Sequence, residues 1–119
     1  MQSGKLPQVR LRHIIESIDG IIDATTGVSG REIAESFVLM RALERAIQII
    51  SEAAKELPAE MRALEPSVPW TDVIGIGNVL RHEYHRVREE TLLAILTDEL
   101  PVLRLAAVRL LAGIESQPR

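Results

Sequence analysis

The 119 residues of this chain include no cysteine, which excludes a disulfide framework, a thiolate metal site and a cysteine nucleophile. Aromatic residues are scarce as well, because only Phe37, Trp70 and Tyr84 occur. Apolar residues nevertheless make up 46% of the chain, so the core must consist of Leu, Ile, Val, Ala and Met. This composition favours packed helices over a β-sandwich.

Long apolar runs are also missing, and no stretch approaches the roughly 18 residues of a membrane span. Residues 1–10 contain no apolar run of a signal peptide, so we expect a cytoplasmic protein with no membrane partner. The formal net charge of −3 does not attract nucleic acid to the surface as a whole. Two local basic zones, 5–13 and 81–88, are either phosphate-binding surfaces or simply solvated faces.

The spacing of apolar residues predicts four long helices. The first spans roughly 8–25, and Ser29 followed by Glu32 forms a capping box that predicts the start of the second. This second helix runs to Leu57, with an expected break near Ser36. A short helical piece lies between the prolines at 58 and 69.

The third long helix spans 70–87, and the fourth begins at Glu89. Pro101 is expected to kink the fourth helix rather than end it, because the apolar pattern resumes in phase. Short connections between four long helices predict an all-α, antiparallel up-and-down bundle of four to five helices. We expect one domain over residues 1–119, with residues 1–7 as a flexible tail.

The helix over 70–87 carries an unusual polar face. On a wheel of about 100° per residue, the predicted core stripe consists of Val73, Ile76, Leu80, Tyr84 and Val87. His82 lies opposite, flanked by Gly75, Asn78, His85 and Arg86. Gly75 and Gly77 each disfavour the helix by about 1 kcal/mol relative to alanine. Such glycines indicate either close approach of a second chain or ligand, or tolerated packing against a neighbouring helix.

The residue types on this polar face limit the chemistry. No Ser/His/Asp arrangement supports acyl transfer, and His82 and His85 lack the i, i+4 spacing of a helical metal site. No glycine-rich phosphate loop follows a strand. Proton transfer by His82 beside a cation or amide remains, which is the minimum set for metal-free RNA cleavage. The alternative is a pair of surface histidines with no chemistry.

Five fragments of the chain, in order and at matching spacing, resemble the HepT-like family of the HEPN superfamily. They are the segment 9–18, the segment 42–55, Pro69-Trp70, Asn78 with His82-Glu83-Tyr84, and Asp98-Glu99-Leu100-Pro101. Members of this family are small all-helical toxins of bacterial and archaeal toxin–antitoxin modules. The likeness covers nearly the whole chain.

The resemblance implies a homodimer in which the motif helices meet at the two-fold axis and form an RNA-cleaving cleft. It also implies a minimal nucleotidyltransferase antitoxin, which silences such toxins by transferring AMP to a tyrosine. By position, His82 would be the catalytic histidine, Asn78 its polar partner and Tyr84 the AMPylation site. Gly75, Gly77 and His85 would lie at the dimer interface, and no metal or cofactor is expected.

One position departs from the family pattern. The motif places an arginine directly before the asparagine, where this chain has Gly77. Arg81 and Arg86 are the candidate replacements, and loss of such a charge-stabilising group typically lowers the rate by ~10²–10³. On a regular helix, Tyr84 would face the core rather than an antitoxin. Three hypotheses follow: a ribonuclease toxin, a catalytically degenerate module that docks a protein or nucleic acid, and a helical homodimer without chemistry.

Overall fold

The computed structural model describes residues 6–83, 85 and 87–116, and this part of the chain contains helices and no strand. The helices are α1 (Pro7–Thr25), α2 (Gly30–Glu35), α3 (Phe37–Lys55), α4 (Ala59–Arg62), α5 (Trp70–Glu83), α6 (Glu89–Ala94) and α7 (Leu100–Glu115). A π-helical turn, Ile95–Glu99, joins α6 to α7. The all-α prediction is confirmed. The predicted tail at 1–7 falls mostly outside the described residues, and α1 already begins at Pro7.

The boundaries between α1 and α3 follow from local capping. The Glu32 backbone N–H donates to the Ser29 hydroxyl at 3.1 Å, and the Ser29 N–H donates to the Glu32 carboxylate at 2.9 Å. Ser36 then ends α2 and accepts a bond from the Leu39 N–H at 3.1 Å, which caps α3. The capping box and the break near Ser36 are therefore both confirmed.

The last helix continues through Pro101, as predicted, but with a local change of geometry. Proline has no N–H, and its ring conflicts with the carbonyl four residues earlier, which belongs to Thr97. The chain widens into the π turn just before this point, where the Leu100 N–H bonds to the Ile95 carbonyl five residues back. Residues 89–115 thus form one helical rod with an irregular middle.

Ion pairs between helices define the directions of the rods. Arg104 makes two bonds to Asp19, of 2.6 and 3.1 Å, and Arg12 pairs with Glu115, so α1 and α7 are antiparallel. Arg10 at the start of α1 lies 3.8 Å from Glu56 at the end of α3, so these two are antiparallel as well. The hydrogen bonds from Arg104 hold the pKa of Asp19 below its ordinary value. The result is an up-and-down bundle.

The core lies where α1, α3 and the last helix meet. Its most deeply buried large side chains are Leu11, Ile14, Ile18, Leu43, Ile50 and Leu92. Phe37 does not belong to this core, because it is 74% exposed at the first turn of α3. Its ring lies instead under the Arg41 guanidinium, 5.0 Å from the ring centroid.

Within the described residues, no helix is both long and apolar enough to cross a bilayer.

Candidate active site

The start of α5 is held by Trp70 and the loop before it. The buried Trp70 indole donates from Nε1 to the Glu65 carbonyl at 3.1 Å. The Glu65 carboxylate accepts two bonds from Arg109 of α7, of 3.0 and 2.7 Å, which lower the pKa of Glu65. This chain of contacts places the first turn of α5 beside the end of α7. The last turn of α5 lies against α3, where Arg81 approaches Glu52.

Gly77 is buried within the chain, against Ser51 of α3, and this corrects its assignment to a dimer interface. A Cβ at position 77 would overlap the Cβ and Oγ of Ser51. The Ser51 hydroxyl occupies this space and donates to the Ile74 carbonyl at 2.7 Å. The close approach that glycine indicates is therefore real, but the neighbour is a helix of the same chain.

The buried stripe of α5 is rotated relative to the prediction. Trp70, Gly77 and Leu80 are buried, whereas Val73 and Ile76 are only half-buried. Because Gly77 faces inward, a side chain as long as arginine does not fit at this position. The packing around position 77 therefore leaves no room for the arginine that the family motif places there.

The outward face of α5 carries the polar residues that the sequence singles out. Asn78 and His82 are exposed and separated by one helical turn, so they share a face. Gly75, one turn before Asn78, is exposed, and a Cβ there would meet no atom within 4 Å. His85 is exposed just beyond the end of α5. Tyr84 and Arg86 lie outside the described residues.

Arg81 extends toward α3 rather than along the outward face. Its guanidinium lies 4.0 Å from the Glu52 carboxylate, and both side chains are about half exposed (46% and 49%). An ion pair this open to solvent is weak and exchanges readily. Arg81 is therefore a cation beside the Asn78–His82 pair, held loosely by an acid.

These groups can perform acid–base chemistry on an anionic substrate. The imidazole of His82 can act as a general base or acid, and the Asn78 amide and Arg81 can donate hydrogen bonds to phosphate oxygens. Within the described ranges, no group of three His, Cys, Asp or Glu side chains lies close enough to hold a metal ion. The site is an exposed surface, open to a large substrate.

Two residues of α3 that shape this site, Ser51 and Glu52, are missing from the sequence-based candidates. Neither stands out in the sequence, because each lies in the middle of an ordinary amphipathic helix. Only the packing of α3 against α5 brings Ser51 to Gly77 and Glu52 to Arg81. Both positions lie in the segment 42–55, which resembles the HepT-like family. This resemblance was the one feature of the sequence that could have pointed to them.

Comparison with known proteins places this architecture in a family. A model described as "Ribonuclease HepT-like" matches residues 14–110. The protein named "Putative RNase TTE0752" of Caldanaerobacter subterraneus subsp. tengcongensis is 34% identical over 99 residues, covering 83% of this chain and 88% of that protein. "Probable ribonuclease HepT" of Thermococcus cleftensis is 28% identical over 94 residues, covering 79% of this chain and 86% of its own length. No solved structure matches the chain significantly.

Proposed function

Because the chain belongs to the HepT-like ribonuclease family, we propose that it is the toxin of a toxin–antitoxin module and cleaves RNA as a homodimer, without a metal ion. The observation that carries this proposal is the exposed pair of Asn78 and His82 on one face of α5. An exposed base beside an amide suits a large, anionic substrate. The names of the relatives, which describe RNases, support the same substrate.

In the proposed reaction, His82 removes the proton from a ribose 2′-OH. The resulting oxygen attacks the adjacent phosphorus and forms a 2′,3′-cyclic phosphate, while the 5′ oxygen leaves and takes a proton from water. The Asn78 amide donates a hydrogen bond to a phosphate oxygen as negative charge develops there. Abstraction of the 2′-OH proton by a positioned base contributes about 10²–10⁴ in rate.

Arg81 is the proposed cation, in place of the arginine that Gly77 excludes. Its ion pair with Glu52 then competes with phosphate, so Glu52→Gln is expected to raise the cleavage rate at limiting RNA by about twofold to fivefold, the range for release of an exposed ion pair. Initial rates on a labelled RNA measure the effect. Glu56→Gln is the matched control, since Glu56 pairs with Arg10 and not with α5. An equal gain in both variants would show a general effect of charge and remove Arg81 from the site.

We further propose that a minimal nucleotidyltransferase acts as the antitoxin and transfers AMP to Tyr84. This follows from membership of the family and from the position of Tyr84 two residues after His82. A tyrosine this close to the base would, once modified, carry a bulky anion beside the site. The added negative charge would repel RNA.

The test of this function is a growth experiment. Induced expression of the wild type is expected to stop growth, and co-expression of a minimal nucleotidyltransferase encoded beside the gene should restore it. The His82→Ala variant should permit growth by itself. If wild type and variant both permit growth, the toxin proposal fails, and the second candidate remains: a degenerate module that docks a protein or nucleic acid. The absence of the motif arginine at Gly77 favours that candidate.

A further inference from the structure

The one phenylalanine of the chain lies on the surface, beside an arginine. The exposed fraction of Phe37 is 74%, and that of the adjacent Val38 is 72%. The Arg41 guanidinium lies over the ring, 5.0 Å from its centroid. A largely open ring next to a cation suits nucleic acid, because every base has a π-face that can stack on an aromatic side chain. Phe37 and Arg41 therefore have the chemistry of a base-stacking platform.

A polar stripe on the outer side of α3 connects this platform to the candidate site. On a wheel of about 100° per residue, the members of this α3 stripe fall within a sector of roughly 80° and are Phe37, Arg41, Arg45, Gln48 and Glu52. The stripe extends over about 22 Å of the helix axis, enough for several nucleotides of a single strand. At its end, Glu52 pairs with Arg81 of the candidate site.

The direction of α5 brings its last turn toward the basic part of the α3 stripe. The start of α5 is tied through Glu65 to Arg109, which lies about 30 Å along the rod from Glu89. The end of α5, in contrast, is six residues from Glu89, at most about 21 Å of chain. The helix that begins at Glu89 lies beside α2, where Leu93 is 4.0 Å from the Cβ position of Gly30. Since α2 directly precedes α3, the last turn of α5 points toward the first half of α3.

The two arginines of the α3 stripe are accessible to phosphates. Arg41 pairs with Glu44 at 2.8 Å, but its side chain is 49% exposed, whereas that of Glu44 is 17% exposed. Arg45 has no carboxylate partner among the described residues and donates a 3.4 Å hydrogen bond to the Gln48 amide oxygen. Phosphate competes readily with so long a bond, because arginine can bind it through two N–H groups at once. The stripe thus presents two cations about 6 Å apart along the helix axis.

The opposite flank of α5 has the wrong charge for RNA. A groove of about 740 Å³ lies there, between α5 and the rod at 89–115. Asp72, Asp98 and Glu99 line this groove, and no described Lys, Arg or His does. Because like charges repel, a phosphate backbone is disfavoured in it. The α3 side is therefore the side on which RNA can approach the Asn78–His82 pair.

We infer that the α3 stripe is a track for single-stranded RNA that leads to the candidate site, with one base stacked on Phe37 and phosphates bound by Arg41 and Arg45. This inference rests on the proposed function and deepens it by assigning the class of RNA. A base must be unpaired to stack on the ring, so the track selects single strands over duplexes. Phe37 contacts RNA away from the reacting atoms and contributes to binding rather than to the chemical step.

Binding of a fluorescein-labelled oligoadenylate tests the stacking, with His82→Ala as the parent protein so that no RNA is cut. In this parent, Phe37→Ala is expected to weaken the affinity by about fivefold to a hundredfold, the range for loss of one stacked base. Phe37→Leu is the matched control, since it keeps an apolar side chain without the ring, and should lose nearly as much. Phe37→Trp should retain the affinity. Parental affinity in Phe37→Leu, or no binding by the parent, would overturn the track.

The salt dependence of the same binding tests the phosphate contacts. Arg45→Gln is expected to reduce the slope of log affinity against log salt by about 0.7, the value for one phosphate of a single strand. Arg12→Gln is the matched control, because Arg12 is also a half-exposed arginine but lies on α1. It should leave the slope unchanged. An equal reduction in both variants would show a general effect of charge and contradict the Arg45 contact.

Cleavage kinetics separate this inference from the proposed function. With His82 intact, Phe37→Ala is expected to raise KM and leave kcat nearly unchanged, since the ring binds substrate and transition state equally. If neither constant changes in an active enzyme, the track fails and the ribonuclease activity stands. If oligoadenylate binding depends on the Phe37 ring but the wild type cuts no RNA, the ribonuclease activity fails and the track stands.

Discussion

Replacing Gly77 with alanine is expected to lower the free energy of unfolding by about 3 kcal/mol, near the upper range for overpacking of a tight core. The added Cβ overlaps the Cβ and Oγ of Ser51, so α3 and α5 must separate or Ser51 must leave its place. If Ser51 leaves, the 2.7 Å bond to the Ile74 carbonyl is lost too. The higher helix propensity of alanine offsets only about 1 kcal/mol. Chemical denaturation measures the change.

Gly20→Ala is the matched control for this prediction. Gly20 also lies inside a helix, but a Cβ there meets no atom within 4 Å, so alanine should stabilise by up to about 1 kcal/mol. Adding Ser51→Gly to Gly77→Ala removes both overlapping atoms and leaves the Ser51 Cα 3.7 Å away. The double variant should be more stable than the sum of the two single changes predicts. Purely additive effects would contradict the Gly77–Ser51 contact.

The same contact predicts the result of restoring the family motif. Gly77→Arg would place a long, charged side chain into the α3–α5 contact, where Gly77 is buried. We expect loss of folded protein rather than gain of activity, since a buried unpaired charge is strongly destabilising. The chain is therefore not expected to regain the motif arginine by this single substitution.

The order of the helices and most of their limits could be predicted well from the sequence, although α5 ends at Glu83 and not at residue 87 as predicted. Ser29 with Glu32, Ser36 and Pro101 act through local hydrogen bonds and backbone geometry, which depend on few neighbours. The π turn before Pro101 could not be predicted. A kink and a π turn both relieve the steric clash between the Pro101 ring and the carbonyl four residues earlier. Which of the two forms depends on the packing of the whole rod.

The orientation of α5 was predicted only in part. The outward position of Asn78 and His82 follows from the polar pattern, and the structure places both there. The inward position of Gly77 could not be predicted, because a glycine contributes nothing to a hydrophobic pattern and yet allows the closest packing. The groove beside α5, in turn, leaves Ile76 half-buried where the wheel predicts full burial. The ion pair between Glu52 and Arg81 could not be predicted either, because it depends on how α3 and α5 pack together.

Replacing His82 with alanine is expected to lower the RNA cleavage rate by about 10²–10⁴, the contribution of a positioned general base. The side chain is exposed, so this change should leave the stability of the fold nearly unaltered. His13→Ala is the control, because His13 lies in the first half of α1, on a different helix from His82. It removes one histidine of the same chain and should leave the rate unchanged. Equal losses in both variants would show that the effect is not local.

The most direct measurement compares cleavage of two oligonucleotides in the presence of EDTA. One is all RNA, and the other carries a single 2′-deoxy residue at the cleaved position. If His82 activates the 2′-OH without a metal, the wild type cuts the first strand to a 2′,3′-cyclic phosphate and leaves the second uncut at that position. His82→Ala then cuts neither at a comparable rate. Cleavage of the 2′-deoxy position, loss of all activity in EDTA, or an unchanged rate for His82→Ala would contradict the proposed reaction.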